Sequence, residues 1–193
     1  MDLEILYIVF YSYFLGSIPF GLILTKFFLN KDLREVGSGN IGATNVLRTG
    51  KKALGASTLI LDGLKAYAAI IITYKFFPDY IYLSSLLCFL GHLFPIWLKF
   101  NGGKGIAVFL GILLALSVSY GIIFIVSWLI IFFLTKYASV SSLISTVIIF
   151  IYSFFRENSF ESTFFFIIFV LVVYTHRENI ARLKNKTENK INL

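Results

Sequence analysis

Cysteine is almost absent from this sequence: Cys88 is the only one among its 193 residues. With no second cysteine, an intrachain disulfide and a cysteine-based metal site are both excluded. Charged residues are also scarce, at 14% of the chain against about 25% in a soluble domain. No cluster of carboxylates that would demand a metal ion is present. We therefore expect a protein that is not a soluble domain and that needs no metal or other cofactor.

Apolar residues are what the chain has instead. Hydrophobic residues make up 58% of it and aromatic residues 18%, and its mean hydropathy is +0.86. These values are typical of an integral membrane protein. The polar segments between the apolar ones are too short for a separate soluble domain. We therefore predict an all-α integral membrane protein with a single domain over residues 1–193, whose surroundings are the lipid bilayer.

Five apolar segments are each about long enough for a helical crossing of roughly 20 residues. They comprise residues 5–28, 53–77, 80–98, 139–155 and 160–175. Between Lys104 and Lys136 lie 31 further uncharged residues, which as one helix would be about 46 Å long, against a hydrocarbon core of roughly 30 Å. We predict that this stretch forms two short spans with a turn near 117–121, which gives about seven transmembrane helices.

The distribution of lysine and arginine predicts the orientation of these helices. With seven spans, the N-terminus lies outside, the C-terminus lies in the cytoplasm, and fourteen of the seventeen basic residues face the cytoplasm, as membrane proteins prefer. The formal charge of +7 belongs to loops beside apolar spans, where bases attract anionic lipid or substrate, so no nucleic-acid partner is expected. Three polar segments, residues 30–52, 91–105 and 176–190, then lie on one side of the membrane and can form one site.

The first polar segment contains a glycine-rich stretch at residues 37–48. It matches G-x-G-x-x-G, but no strand precedes it, so a dinucleotide-binding fold is not indicated. Glycines allow successive backbone N–H groups to point at one anion, and polar side chains add further donors. The candidate phosphate-binding residues are Ser38, Gly39, Asn40, Gly42, Thr44, Asn45 and Arg48. The alternative interpretation is an ordinary glycine-rich turn.

The second polar segment contains Gly102-Gly103-Lys104-Gly105. It is not a nucleotide-hydrolase loop, because a glycine follows Lys104 where a magnesium-binding Ser or Thr would stand. Three glycines and a lysine at the start of a helix still favour anion binding. His92, near the end of the preceding span, is interpreted as a structural hydrogen-bond partner rather than a catalyst.

The third polar segment brings His176, Asn179 and Arg182 to one face of a helix through their spacing of three. A basic tail that lies on the membrane surface is the alternative interpretation. Within the spans, Asp62 and Lys65 are one helical turn apart and are expected to form an ion pair; a role in orienting loop residues is the alternative. Proline and glycine at 16–21 permit a kink and close helix packing.

Together these segments closely resemble the bacterial acyl-phosphate:glycerol-3-phosphate acyltransferase family, over the whole chain. The matching motifs are Gly-Ser-Ile-Pro-Phe-Gly at 16–21, Gly-Ser-Gly-Asn-Ile-Gly-Ala-Thr-Asn-Val-Leu-Arg at 37–48, Gly-His-Leu-Phe-Pro at 91–95, Gly-Gly-Lys-Gly at 102–105 and His-Arg-Glu-Asn-Ile-Ala-Arg-Leu at 176–183. The resemblance implies acyl transfer from acyl phosphate to the hydroxyl of glycerol 3-phosphate, giving lysophosphatidate for phospholipid synthesis. It implies no use of coenzyme A or acyl-carrier thioesters, and an active site on the cytoplasmic face of the bacterial inner membrane.

The resemblance also assigns site residues. It implies phosphate contacts at Ser38, Asn40, Thr44 and Arg48, contacts of the donor loop at Gly102, Gly103, Lys104 and Gly105, active-site roles for His176 and Asn179, and a further contact at Ser142. This chain departs from the family pattern at two positions where glycine is usual, Lys186 and Ala66. The first leaves the membership of Glu188 in the site open.

The chemistry expected from these residues is direct transfer without an acyl-enzyme, because no Ser-His-Asp set is recognisable. Arg48 and Lys104 neutralise the two phosphates, Asn179 and His176 position the hydroxyl, and its proton passes to His176 or to the donor phosphate. No obligatory protein partner is inferred. The alternative function is a small organic-phosphate transporter, since intramembrane charges such as Asp62 and Lys65 also fit ion pathways. A purely structural subunit would leave the glycine-rich segments unexplained.

Overall fold

The computed structural model describes residues 3–156 and 159–191, and over those ranges the chain is helical and contains no strand. It divides into two compact units, with the boundary between Leu116 and Ser117. The first unit contains α1 (Leu3–Gly16), α2 (Phe20–Leu29), α3 (Ala43–Leu47), α4 (Lys52–Phe76), α5 (Ile81–Leu93) and α6 (Ile106–Leu116). The second contains α7 (Val118–Thr135), α8 (Ala138–Phe154), α9 (Ser159–Thr175) and α10 (Arg177–Lys184). The all-α prediction is confirmed.

Several of these helices are long and apolar enough to cross a membrane. Those that qualify by length and composition are α1 with α2 (Leu3–Leu29), α4 (Lys52–Phe76), the segment Pro78–Leu98 that includes α5, and α7. The helices α9 and α10 qualify only as a pair, with a bend of 58° between them, while α6 and α8 are apolar but shorter. The count of seven spans and their orientation therefore stay predictions, as does the single domain.

The stretch between Lys104 and Lys136 forms two helices, as predicted. The break is narrower than the predicted turn over 117–121: α6 ends at Leu116 and α7 begins at Val118, so Gly121 lies inside α7. Ser117 alone interrupts the helix, with extended backbone angles of φ −165° and ψ 133°. Its carbonyl accepts the first bond of α7 from Gly121 N–H, at 3.3 Å. One extended residue is therefore enough to separate the two helices.

In the first unit, α4 lies at the centre and packs against α1, α2, α3, α5 and α6. Glycines allow the closest of the helix contacts. A Cβ added to Gly16 on α1 would lie 2.0 Å from the Cys88 carbonyl oxygen on α5, and one added to Gly111 on α6 would lie 2.1 Å from the Gly63 carbonyl oxygen on α4. Small residues at such crossings are the usual way for membrane helices to pack. The predicted close approach at the 16–21 segment is confirmed.

Buried hydroxyl groups add polar contacts between α1, α4 and α5. Ser12 Oγ on α1 lies 2.8 Å from Ser84 Oγ on α5, and Thr73 Oγ1 on α4 lies 2.7 Å from the same atom. The Tyr11 hydroxyl also forms a hydrogen bond with Thr73 Oγ1. Hydrogen bonds of this kind hold helices together where no hydrophobic driving force acts between them. These hydrogen bonds join the helices to one another, and the polar loops at the helix ends are held by other contacts.

The second unit is packed around aromatic rings. The buried Tyr120 on α7 lies with its ring centroid 5.3 Å from that of Tyr152 on α8 and 4.9 Å from that of Phe165 on α9. Helix α8 packs against both α7 and α9, and α10 contacts the end of α9. On the outer faces, Ile130 and Phe133 of α7 are more than half exposed. Exposed apolar side chains on such apolar helices match a lipid surrounding.

We predict that Gly16→Ala destabilises the first unit. The added Cβ would meet a backbone carbonyl, which has no rotamer with which to move away, so the free energy of unfolding should fall by about 1–3 kcal/mol. The measurement is the thermal midpoint of the purified protein in detergent. Gly63→Ala is the matched control, because its nearest neighbour would be at an ordinary 3.4 Å. Equal midpoints for the two variants would contradict the close packing of α1 on α5.

Candidate active site

The first candidate loop folds around the side chain of Asn45. This side chain is buried, and its amide nitrogen lies 3.2 Å from the carbonyl oxygen of Leu33 and 2.8 Å from those of Val36 and Asn40. Its carbonyl oxygen accepts the backbone N–H of Ser38 at 3.0 Å. Asn45 therefore closes the loop from inside, because these four contacts all join it to the backbone of the loop or of the segment before it.

The first loop packs on a cluster of apolar side chains. Leu33, Ile41 and Val46 are buried against one another. Four partly buried side chains pack on them: Leu22, Val36, Leu54 and Leu98. Leu98 belongs to the second polar segment, so the first two predicted segments lie against one shared cluster in the first unit. Their predicted proximity is present in the structure.

The glycines of the first loop engage their N–H groups within the loop itself. Gly39 N–H donates to Val36 O at 2.9 Å, and Gly42 N–H donates to Asn40 Oδ1 at 2.9 Å. With Ser38 N–H bound to Asn45, three backbone N–H groups of the glycine-rich stretch are already occupied. This differs from the expectation that they point at an anion. The physical reason is that a loop this tight needs its own backbone bonds before it can present side chains.

Side chains are what the first loop presents outward. Ser38 and Arg48 are exposed and Thr44 is half-buried. The Arg48 side chain crosses Gly37, because a Cβ added there would lie 2.9 Å from Arg48 Cδ. Gly37 also has φ +55°, a conformation that glycine adopts without strain. The loop therefore offers a guanidinium and two hydroxyl groups beside a stretch that has no bulky side chains.

The second candidate loop is held against the end of α5. Gly102 N–H donates to Leu93 O and Gly103 N–H donates to His92 O, both at 3.0 Å. There is no space for side chains here: a Cβ on Gly102 would lie 2.1 Å from His92 O, and one on Gly105 would lie 2.4 Å from the Phe89 ring. Lys104, half-buried, stands between these glycines directly before α6. Because these glycines have no side chains, the backbone on both sides of Lys104 packs directly on α5.

A buried ion pair lies beneath the second loop. Lys65 Nζ is 2.6 Å from Asp62 Oδ1, and both side chains are 2% exposed. The ammonium group also lies 2.6 Å from Ile18 O and 3.0 Å from His92 Nδ1. The predicted ion pair is therefore confirmed, and so is the structural role of His92 as a hydrogen-bond partner. Sequence reasoning did not foresee that these three side chains meet.

In the second unit, Glu188 is the centre of a polar network. Its Oε1 accepts from Ser139 Oγ at 2.8 Å and from Asn179 Nδ2 at 2.6 Å, while its Oε2 accepts from Arg182 Nε at 2.7 Å. Burial alone would raise the pKa of the Glu188 carboxyl, but these hydrogen bonds lower it below its ordinary value. Asn179 and Arg182, predicted to share a face, thus do share a partner, and Glu188 is part of their surroundings.

His176 stands immediately before α10 and is 2% exposed. Its Nδ1 lies 2.8 Å from the carbonyl oxygen of Val172. A carbonyl only accepts hydrogen bonds, so Nδ1 carries a proton and, in the neutral ring, Nε2 is the basic nitrogen. This tautomer is the one that a proton acceptor or a hydroxyl-positioning group needs.

Two other residues of the second unit bear on the sequence-based assignments. The Ser142 hydroxyl donates to Ala138 O at 2.8 Å and accepts from Trp128 Nε1 at 3.1 Å, so its observed contacts join α8 to α7. Lys186, which departs from the family's glycine, has φ +59°, the left-handed region that favours glycine. The backbone there keeps the turn that brings Glu188 to Asn179. The substrate contact of Ser142 stays a prediction.

The site residues therefore fall into two groups, one in each unit. Arg48, Lys104 and the glycine-rich loops belong to the first, and His176 and Asn179 to the second. Their convergence stays a prediction. Among residues 3–156 and 159–191, no group of three or more His, Cys, Asp or Glu side chains is placed to hold a metal ion.

Comparisons with known proteins agree with one another. A family model described as "Glycerol-3-phosphate acyltransferase" matches residues 6–186. The glycerol-3-phosphate acyltransferase of Pelagibacter ubique is 54% identical over 188 residues, covering 97% of this chain and 98% of that one. The enzyme of Mesorhizobium japonicum is 49% identical over 181 residues, covering 94% and 93%.

Two similar solved structures are also those of a glycerol 3-phosphate acyltransferase. The crystal structure of PlsY (YgiH), described as an integral membrane glycerol 3-phosphate acyltransferase in its glycerol 3-phosphate form, is 36% identical, with a TM-score of 0.93. It covers 98% of this chain and 96% of its own. The lysophosphatidic acid form of PlsY is similar, with a TM-score of 0.89, 35% identity and the same coverage.

We predict that Asn45→Ala impairs the first loop. The change removes the donor to three carbonyl groups and the acceptor of Ser38 N–H, so the free energy of unfolding should fall by about 2 kcal/mol and activity at least tenfold. Thermal midpoint and initial rate are the measurements. Asn185→Ala, at an exposed position, is the matched control and should change neither. Normal activity in Asn45→Ala would contradict the organising role.

We also predict that Glu188 stabilises the second unit in a pH-dependent way. Because folding lowers the Glu188 pKa from 4.5, its contribution is present above that ordinary value and is lost as the pH falls through the lowered folded value. The thermal midpoint of Glu188→Gln should therefore lie below the wild-type value at neutral pH, and the gap should close in acid. Glu178→Gln, at a side chain that is 68% exposed, serves as the control. A gap independent of pH would contradict this.

Proposed function

The chain belongs to the glycerol-3-phosphate acyltransferase family, and from that premise we propose that its acyl donor is an acyl phosphate. The protein is an integral membrane enzyme that acylates glycerol 3-phosphate to lysophosphatidate. The location that we propose is the cytoplasmic face of a bacterial inner membrane, in agreement with the distribution of lysine and arginine. Substrate and product are named in the two forms of the similar solved structure.

One observation carries the proposal: the two polar segments that contain the glycine-rich loops, each with a cation, both contribute side chains to one apolar cluster. Arg48 crosses Gly37 in the first loop and Lys104 stands between glycines in the second. The segment of the second loop reaches the cluster of Leu33, Ile41 and Val46 through Leu98. Two phosphate groups brought near each other repel, so an enzyme that uses two phosphorylated substrates needs positive charge at each.

The reaction that suits these groups is a direct acyl transfer. The hydroxyl oxygen of glycerol 3-phosphate attacks the carbonyl carbon of the acyl phosphate, forming the ester bond, and the bond from that carbon to the phosphate oxygen breaks. The hydroxyl proton goes to His176 Nε2 or to the departing phosphate. The mixed anhydride is already reactive, so alignment and charge neutralisation are the main needs.

Each assigned residue then has a physical task. Arg48 and Lys104 neutralise phosphate charge, and the hydroxyl groups of Ser38 and Thr44 donate hydrogen bonds. The remaining assignments in the first unit give the loops their shape and access: Gly39, Asn40, Gly42, Asn45, Gly102, Gly103 and Gly105. His176 positions the hydroxyl through the nitrogen opposite its bond to Val172. Asn179 does so with an amide that Glu188 orients.

The transporter alternative rested on Asp62 and Lys65 as parts of an ion pathway. In the structure both charges meet within one protein cluster, where Lys65 also contacts Ile18 O and His92 Nδ1. An ion pathway needs charged groups that can exchange their protein partners for the ion. The cluster is explained without transport, and the family is one of enzymes.

The test of this proposal is lysophosphatidate formation by the purified protein from labelled glycerol 3-phosphate. Product should form with acyl phosphate and not with acyl thioesters of coenzyme A or of the carrier protein. Removal of one preorganised charge from the site should lower kcat/KM about 100-fold or more, in Arg48→Met and in Lys104→Met alike. Equal rates with thioester donors would contradict the proposed donor.

Lys31→Met is the matched control for the two charge variants. Lys31 is an exposed base of the same polar segment, with no assigned task. Its loss removes the same charge from the same unit, so any effect of net charge on substrate attraction appears equally in all three variants. Lys31→Met should retain kcat/KM within a factor of about three. A loss as large as that of Lys104→Met would show that the charge acts only at long range.

A further inference from the structure

The hydrogen bonds of the Lys65 ammonium group link two segments that lie far apart in the sequence. One bond reaches Ile18 O, in the break between α1 and α2, and another reaches His92 Nδ1 at the end of α5. The third acceptor is Asp62 Oδ1, on the same helix as Lys65. An ammonium group has three protons and no lone pair, so three acceptors match its donors in number.

These contacts fix the protonation of the His92 ring. Since the ammonium group can only donate, Nδ1 of His92 is the acceptor, and the ring proton lies on Nε2. Asp62 does not compete for Nδ1, because its Oδ1 lies 3.9 Å away, beyond hydrogen-bond range. Lys65 therefore sets both the tautomer and the orientation of the ring.

The other edge of the same ring lies against the second loop. A Cβ added to Gly103 would be 2.1 Å from His92 Nε2 and 2.7 Å from Cε1. Gly103 N–H also donates to the His92 carbonyl oxygen at 3.0 Å. His92 thus touches Gly103 with both its backbone and its ring, and Gly103 directly precedes Lys104. The ring therefore packs directly against the backbone that leads into Lys104.

The segment of Ile18 is also joined to the 91–105 segment by side-chain hydrogen bonds. Trp97 Nε1 donates to Ser17 O at 2.8 Å, one residue before the carbonyl that Lys65 binds. Phe94, next to the end of α5, offers its carbonyl to the Tyr13 hydroxyl at 2.7 Å. The break in the first span and the 91–105 segment therefore form one connected assembly, with Lys65 inside it.

A structural role alone explains this arrangement poorly. A buried ion pair is costly to form, and apolar residues of similar size often stabilise a protein as well or better. Ionisable groups within membrane spans usually serve function. We propose that Lys65 is a positioning residue of the acyltransferase, which acts through His92 to hold the Gly102–Gly105 loop in the conformation that binds phosphate. The role of the loop in binding phosphate rests on the proposed function, whereas the coupling of Lys65 to the loop does not.

The coupling is tested by amide hydrogen–deuterium exchange, which needs no substrate. The variant Asp62→Leu/Lys65→Met removes both charges together and so leaves no unpaired charge in the interior. We expect its thermal midpoint to remain within a few degrees of wild type, while the amides of Gly102 and Gly103 exchange at least tenfold faster. The amide of Leu113 lies in the interior of α6, where its helical acceptor is not part of the loop, so its exchange should be unchanged. An exchange rate of the Gly103 amide in the double variant equal to that in the wild type would overturn the proposal.

A second variant keeps the ion pair and removes the ring. His92→Asn retains an oxygen near the Nδ1 position that can accept from Lys65, but it leaves nothing at the Nε2 position beside Gly103. It should keep the midpoint and show the same faster exchange at Gly103. Slow exchange in this variant would overturn the role of His92, even if the double variant fails to fold.

The consequence for the reaction is a split between the two substrates. In both variants the KM for the acyl donor, to which the Gly102–Gly105 loop is assigned, should rise at least tenfold. The KM for glycerol 3-phosphate should change less than threefold. A uniform loss for both substrates would indicate general damage and overturn the positioning role. If acyl phosphate is not the donor, the KM measurements are repeated with the active donor. The hydrogen–deuterium exchange result does not depend on the identity of the donor.

A size test probes the contact itself. Gly103→Ala should lower kcat/KM at least tenfold, because its methyl group meets the His92 ring, while the backbone of Gly103 is not in the left-handed region. In a His92→Ala background the methyl group has room, so Gly103→Ala should add less than a twofold loss. Multiplicative losses in the two backgrounds would overturn the contact.

Discussion

The ammonium group of Lys65 is the point from which the polar part of the first unit is arranged. It lies within a membrane span, where an unpaired charge is expensive, so its acceptors must stay in place. Two of those acceptors belong to other segments, the break at Ile18 and the ring of His92. The need to satisfy one buried cation therefore fixes the end of α5 against the break in the first span.

Each of the two glycine-rich loops is likewise held by one buried polar side chain. In each, backbone N–H groups are engaged inside the protein, and glycines allow approach where a Cβ would collide. The first loop closes on Asn45 and the second on His92. What remains for a ligand is the side chains at the surface of each loop, Arg48 and Lys104 among them. Loops whose backbone is already held in this way would meet the proposed phosphate ligands without rearranging, which is how preorganised charge contributes to catalysis.

The sequence was sufficient for the features that depend on composition and spacing. It predicted the helical membrane fold, the interruption between α6 and α7, the Asp62–Lys65 pair and the proximity of the first two segments. It did not reveal that Ser38, Gly39 and Gly42 donate within their own loop, because local motifs do not show which carbonyl groups lie nearby. The meeting of Lys65 with His92 depends on the packing of α4 on α5, which no spacing along the chain encodes. Glu188 was left open because a lysine precedes its turn, and the structure shows that Lys186 adopts the glycine-like conformation.

The central claim is that acyl groups pass directly from acyl phosphate to glycerol 3-phosphate, on loops that are rigid before either substrate arrives. It is tested most directly by rapid-mixing measurement of inorganic phosphate released from acyl phosphate in the absence of glycerol 3-phosphate. Direct transfer predicts no burst of phosphate until glycerol 3-phosphate is added, because nothing in the site takes up the acyl group. A burst of about one equivalent per enzyme would contradict it, since it would reveal an acyl-enzyme.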